Sequence, residues 1–387
     1  MRPRLGIVAY APIQYHTPLF QLLSKRNKID LDVLFLSDRG VAAAVDPEFG
    51  SLVAWDIDLL SGYSHRFLTT NSDRSSTLRR VTNLINWLPS HDAVVVNGYN
   101  NRWMVLTMIA CKVRGIPYIL RASSHPEGPS TGWRRYARKV VTRVVVAGSS
   151  VDLCMGNRNE EFYRQNHAKT VVFAPNSVDD ERFGSSPTLS RSDVLAKWDL
   201  NSEAPVIMFS GKLIPRKRPL DIVAAAKRLP CAVNLLFVGD GELADEVRRQ
   251  LGASSGVITG FINQSDLPAY YHASDVLVLP SLEETWGLVV NEAMAAGTLP
   301  VASDRIGCGP DLVEGIGEVY PCGDIDRLAA ALSRSVERAK QPGSRDLVRQ
   351  HVARYSLRRT AIGYEQGAMA ACGRLTAHNR RVTASDA

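Results

Sequence analysis

The alternation of short apolar runs with amphipathic stretches most narrows the folds open to this chain. Apolar runs at 5–10, 31–36, 93–97, 117–121, 144–147 and 170–174 read as strands, and stretches near 17–27, 76–88 and 101–114 read as helices between them. Residues 182–204 then turn polar around Gly184-Ser185-Ser186-Pro187, with one short helix expected at 191–198. Beyond them the alternation restarts, with strands at 205–210, 233–238, 256–259, 275–279 and 299–302 and helices at 218–228, 242–250, 265–272, 287–296 and 325–339. Strands that alternate with helices build a parallel sheet covered on both faces. The prediction is an α/β chain of two Rossmann-like domains facing each other across a cleft, 1–185 and 205–355, joined by a linker at 186–204. Residues 374–387 are polar and aperiodic, and a disordered tail is expected there.

In such sheets ligands bind outside the carboxyl ends of the strands, so the strand-end loops carry the functional argument. The richest follows strand 275–279. Ser281-Leu282-Glu283-Glu284-Thr285-Trp286-Gly287-Leu288 runs into a helix and sets Glu284 and Glu292 eight residues apart around its start. Gly287 lets the backbone approach a ligand, and the first-turn amides of that helix favour an anion. Amides for a phosphate and carboxylates for hydroxyls suit a nucleotide sugar. After strand 205–210, Ser210-Gly211-Lys212-Leu213-Ile214-Pro215-Arg216-Lys217-Arg218 places four cations in one loop. Lys212 and Lys217 are the pair expected to hold a diphosphate, because fixed cations stabilise the charge of a departing phosphate. A solvated basic loop is the competing reading.

Other strand-end loops are weaker. Gly239-Asp240-Gly241 departs from the G-x-G-x-x-G fingerprint of nicotinamide dinucleotide sites, since residue 244 is Ala. Thr259-Gly260-Phe261 offers backbone to a base edge. His125 follows strand 117–121 and Gln14-Tyr15-His16 follows the first strand, both facing the cleft. Residues 133–144 are amphipathic at the helical period. Arg134, Arg135, Arg138, Lys139 and Arg143 fall on one half of the wheel, and Trp133, Tyr136, Val140, Val141 and Val144 on the other. A basic helix lying at a membrane surface competes here with a surface helix packed on its own sheet.

Composition excludes several classes. No apolar run is long enough for a spanning helix. The six cysteines are scattered without a C-x-x-C pair, so neither a disulfide framework nor a zinc site is expected, and reduced thiols point to a cytoplasmic protein. A net charge of +7 permits anionic substrates or the inner face of a membrane. Nucleic-acid binding is not expected, because the basic residues lack aromatic interleaving. No D-x-D-like metal clamp stands at a strand end.

Taken in order, Gly-Lys…Lys-Arg-Pro-Leu, Val-Gly-Asp-Gly-Glu-Leu, Thr-Gly-Phe, Asp-Val-Leu-Val-Leu-Pro-Ser, Glu-x-Trp-Gly-Leu-Val-Val-Asn-Glu-Ala-Met and Ala-Ser-Asp resemble glycosyltransferase family 4 over about 205–325, and more weakly over the first half. That family comprises retaining, metal-independent enzymes of the GT-B fold. The resemblance implies that Gly211, Lys212 and Lys217 hold the donor diphosphate and that amides following Trp286 and Gly287, from Leu288 on, cap it. It further implies that Glu284 contacts the transferred sugar, Glu292 the ribose and backbone at Phe261 the base, with His125 near the anomeric carbon. A helix at 356–373 is expected to cross back to the first domain. The chain departs from the pattern at Lys212, where arginine is common, and at Ala11-Pro12-Ile13, where a glycine pair is common. The implied activity moves a sugar from a nucleotide diphosphate donor, UDP-linked by expectation, to a hydroxyl of a glycan, lipid-linked or small-molecule acceptor, in polysaccharide, glycolipid or natural-product glycan biosynthesis. No metal and no further cofactor is implied. A nucleotide-sugar epimerase of the same fold and a non-catalytic nucleotide-sugar-binding partner stay open.

Overall fold

The computed structural model describes residues 2–41, 44–46, 51–70, 75–122, 132–252 and 255–373. The chain forms two units: 1–42, 58–176 and 357–387 make the first, and 43–57 with 177–356 the second.

In the first unit β1 (Arg4–Ala9), α1 (Thr17–Arg26) and β2 (Asp30–Phe35) open the alternation. A short hairpin, β3 (Ala44–Asp46) and β4 (Ser51–Val53), belongs to the second unit. The first unit resumes with β5 (Ser64–Phe67), α2 (Thr77–Trp87), β6 (Ala93–Asn97), α3 (Arg102–Val113), β7 (Tyr118–Arg121), α4 (Trp133–Gly148), β8 (Val151–Cys154), α5 (Asn157–Gln165) and β9 (Val171–Phe173). The strands form a parallel sheet in the order β5-β2-β1-β6-β7-β8-β9.

The second unit contains α6 (Asp180–Gly184), α7 (Arg191–Lys197), β10 (Val206–Ser210), α8 (Pro219–Ala226), β11 (Asn234–Val238), α9 (Ala244–Leu251), β12 (Gly256–Ile258), α10 (Leu267–Ala273), β13 (Val276–Leu279), α11 (Leu288–Ala295), β14 (Leu299–Ser303), β15 (Glu318–Tyr320), α12 (Ile325–Ala339) and α13 (Ser344–Val352). Its parallel sheet has the order β12-β11-β10-β13-β14-β15. Central strands β10, β11, β13 and β14 are buried along their whole length, as two-sided helix cover requires. The short helix expected at 191–198 is α7, and its Arg191 guanidinium grips the Asp275 carboxylate with bonds of 3.1 and 3.0 Å.

The last helix, α14 (Leu357–Ala371), belongs to the first unit and packs on α1 and β8. Ala361, Tyr364 and Ala368 of α14 enter the core beneath the first sheet. Arg26 of α1 makes a two-bond pair with Glu365 at 2.7 and 3.0 Å. The helix comes so close to β9 that a Cβ at Gly363 would lie 2.4 Å from the Phe173 carbonyl oxygen. The expected crossing helix is therefore present.

One expected strand is corrected. Residues 144–147 are the last turns of α4, and the strand lies at 151–154. The valines at 144–146 match a strand by composition, yet the buried positions Thr142 and Val146 are four apart, the spacing of a helix. The true strand was hidden by Asp152. That carboxyl is buried, accepts the Ser149 hydroxyl at 2.8 Å and is pushed up to about 8 by burial, so it enters the sheet as the neutral acid. Edge strands β5 and β15 and helices α5 and α13 had no reading in the sequence. The expected tail at 374–387 lies outside the described residues.

Candidate functional site

Each sheet reverses its strand order about a central pair, β1 and β6 in the first and β10 and β13 in the second. The crevice outside the carboxyl ends at such a switch point is where open α/β sheets take ligands. In the second unit this point brings together the loop after β10, with Lys212 and Lys217, and the loop after β13, with Glu284 and Gly287.

The Lys217 ammonium donates to Glu284 Oε1. Both side chains are mostly buried, and the Ser281 hydroxyl adds a contact of 3.4 Å to the same oxygen. Backbone bonds fix the two loops to each other. The Leu282 amide donates to the Arg216 carbonyl at 2.8 Å, and the Arg216 guanidinium donates to the Glu283 carbonyl at 2.9 Å. Residues 284–286 are also laid against 305–308. The Glu284 amide donates to the Arg305 carbonyl (3.3 Å), Gly307 to the Glu284 carbonyl (2.9 Å) and Cys308 to the Trp286 carbonyl (3.0 Å). Glu284 thus stands on a short, paired segment, which limits its freedom at the sheet edge.

Of the loop's other cations, Arg218 is committed to its own helix through Asp221, at 2.6 and 3.1 Å. Arg216 is exposed and lies 3.6 Å from Glu284 Oε1. Lys212 is half-buried at the other end of the loop. The loop after β11 buttresses it: Gly211 donates to the Val238 carbonyl (2.9 Å) and Leu213 to the Asp240 carbonyl (2.8 Å). Gly239 is required at this crossing, since a Cβ there would sit 2.0 Å from the Gly211 carbonyl oxygen. The Gly239-Asp240-Gly241 turn therefore acts as a support for the lysine loop.

Gly287 has φ +101° and precedes α11. A Cβ there would meet Leu279 at 2.9 Å and Ile306 at 3.1 Å, so both conformation and space demand glycine. The Leu288 and Val289 amides precede the first bond of α11, in which Val290 donates to the Gly287 carbonyl at 2.9 Å, and present partial positive charge. Trp286 is buried; its indole N–H donates to Asn291 Oδ1 at 2.8 Å and its ring packs on Tyr355 at 5.9 Å. It braces the helix start from within. Glu292 is 1% exposed, and its Oε2 accepts the Tyr271 hydroxyl at 2.6 Å. It lies one turn inside α11, eight residues after Glu284.

Phe261 is half-buried in the loop after β12, which Gly239 joins by donating to the Gly260 carbonyl at 2.9 Å. Sequence reasoning missed its neighbours. Trp55 meets the Phe261 ring edge-to-face at 5.9 Å. The Asp56 carboxylate accepts the Ser265 amide and hydroxyl, and Asn263 donates to the Ala54 carbonyl at 2.6 Å. These partners lie some two hundred residues away in the chain, and no local pattern announces them.

In the first unit, His16 follows β1, and burial and the nearby Arg121 guanidinium hold its imidazole down at about 4, hence neutral near pH 7. Arg121 ends β7 and donates to the Ala174 carbonyl (2.6 Å) and Asn176 Oδ1 (2.8 Å). His125 lies outside the described residues. Among the described residues no group of three or more His, Cys, Asp or Glu is placed to hold a metal ion.

Residues 190–346 match the family described as glycosyl transferases group 1. Over 346 residues the chain is 26% identical to the UDP-Gal:alpha-D-GlcNAc-diphosphoundecaprenol alpha-1,3-galactosyltransferase of Escherichia coli, covering 82% of this chain and 86% of that protein. It is 28% identical to a glycogen synthase of Mycobacterium tuberculosis over 319 residues, 77% of this chain and 71% of that one. Among solved structures, Anabaena Alr3699/HepE in complex with UDP and glucose superposes with a TM-score of 0.69 at 16% identity, over 93% of this chain and 98% of the other. Sucrose-phosphate synthase from Thermosynechococcus elongatus gives a TM-score of 0.69 at 19% identity, over 94% and 98%. These two likenesses establish the fold.

Proposed function

The chain belongs to the group 1 glycosyl transferases, glycosyltransferase family 4, and is a GT-B enzyme that transfers sugar from a nucleotide sugar; from that premise we propose that it is a retaining transferase using a UDP-linked donor and a hydroxyl acceptor. The observation that carries the proposal is the Lys217–Glu284 pair beside the Gly287 start of α11, at the switch point of the second sheet. Similarity to an E. coli protein named for UDP-Gal, and a fold shared with a protein solved with UDP, support the choice of base.

In this reading Lys212, Lys217 and the first amides of α11 hold the diphosphate. Gly211 lets the lysine loop approach it, and Trp286 keeps the helix start in place. Glu284 accepts hydroxyls of the transferred sugar, Glu292 those of the ribose, and backbone at Phe261 meets the base. His125 keeps its assignment near the anomeric carbon. The C1–O bond to the diphosphate breaks as the acceptor oxygen bonds to C1 on the same face. The acceptor proton passes to the departing phosphate oxygen, so no enzyme carboxylate becomes covalently attached. The negative charge that builds on the phosphate is met by lysines that need no reorganisation during the reaction. The acceptor is the hydroxyl of a glycan, lipid-linked or small-molecule substrate, taken by strand-end loops of the first unit.

The test is proton NMR of the purified protein with UDP-, GDP-, TDP- and ADP-sugars and no acceptor. Slow release of free sugar from the UDP donor, first seen as the donor's own anomer, is expected. Conversion to a different nucleotide sugar without release would assign an epimerase instead, and inversion of the first-formed anomer would remove the retaining mechanism.

A further inference from the structure

The helix α4 turns the wrong half of its surface inward for a helix packed by its apolar face. Tyr136 is 73% exposed, Val140 43%, Val141 52%, Val144 67% and Trp133 76%. Among the described residues of α4, Thr142 and Val146 are buried. At 100° per residue, Val140 and Val144 point away from the side that carries Thr142 and Val146. Two aromatic rings and three valines therefore line the outer side of one helix, a grouping beyond the scattered exposed apolar residues of an ordinary surface.

The described charges on α4 and at the end of α3 are all positive. Arg138, Lys139 and Arg143 are exposed on α4. The end of α3 lies beside the end of α4: Lys112 sits 5.4 Å over the Tyr118 ring, and the Tyr118 hydroxyl donates to the Val145 carbonyl at 2.6 Å. There α3 adds exposed Lys112, and the residue after it, Arg114, is exposed too, as are Ile109 and Val113. Neither helix contains an aspartate or glutamate.

We propose that the outer face of α4, with the end of α3, docks on an anionic lipid bilayer. The occupant follows from the chemistry. Tryptophan and tyrosine favour the headgroup level, where a ring has apolar and polar neighbours. Valines enter the acyl boundary while arginine and lysine meet lipid phosphates. A second copy of the same face would bring like charges together across a two-fold axis, and a neutral apolar partner would leave the cations without counter-charge. The inference stands on exposure and charge in the first unit and is independent of the donor site.

Sedimentation of the full chain with phosphatidylcholine vesicles, with and without phosphatidylglycerol, tests it. Binding is expected on the phosphatidylglycerol vesicles alone, released by high salt. Val140→Asp with Val144→Asp should abolish it, and Arg138→Ala with Lys139→Ala should weaken it about fivefold per cation removed. All four positions are on the surface, so circular dichroism and donor hydrolysis should match the wild type. Equal binding by wild type and the aspartate variant, or no binding to anionic vesicles, would overturn the proposal. So would a concentration-dependent dimer that Val140→Asp dissolves, which would assign the face to a second copy.

Discussion

Glu292 and Glu284 show how two carboxylates on one helix start come to differ. Glu284 sits on a paired segment at the sheet edge and takes the Lys217 ammonium, while Glu292, one turn inside α11, is buried and takes the Tyr271 hydroxyl. Ribose binding by Glu292 would use an oxygen of a carboxylate that the core already orients. Glu292→Gln should raise the donor KM by about tenfold, the scale of one charge-assisted hydrogen bond, with kcat nearly unchanged. Tyr271→Phe takes away the hydroxyl that orients this carboxylate, so it should lower stability by about 1–3 kcal/mol and raise KM less than Glu292→Gln does. If Glu292→Gln shifted only the melting temperature, Glu292 would be a core residue and the ribose assignment would fall.

At the scale of elements, β8 carries a measurable signature of its buried acid. Asp152 is raised to about 8 by burial, above the ordinary carboxylate value, so the folded chain holds a proton that the unfolded chain has released. Stability contributed by the neutral acid is full below the unfolded value and is lost as pH rises through the folded one. Asp152→Asn keeps an acceptor for Ser149 and cannot ionise. Its melting temperature should therefore gain several degrees on the wild type between about pH 5 and about pH 8.5; parallel curves for the two proteins would contradict a buried neutral acid. The same residue explains a failure of sequence reading. Strands such as β10, β11 and β13 are continuous apolar runs between turn residues and were legible within about two residues. A charged residue inside β8 broke that pattern, while the valines of α4 imitated it. Short edge strands β5 and β15 have too few buried positions to leave a period.

For the molecule as a whole, the second unit was the more legible because its candidate site is built from local motifs. Lys212, Lys217, Glu284 and Gly287 lie on strand-end loops whose place follows from the order of strands, so motif spacing alone brought them to one switch point. Contacts that depend on distant chain were not legible. Trp55 and Asp56 reach the Phe261 loop from a hairpin inserted between β2 and β5, and α14 returns through Arg26–Glu365 to the first helix. Helix α4 could be read as basic and amphipathic, but which half faced outward required the fold. The switch point of the second sheet is expected to bind a nucleoside diphosphate through Lys212, Lys217 and the start of α11. Calorimetric titration of UDP into the wild type and into Lys212→Ala/Lys217→Ala tests it most directly. Binding by the wild type is expected, with a loss of at least about a hundredfold in the double variant, as removal of two charge-assisted contacts implies. Equal affinity in the two proteins, with both folded, would contradict it.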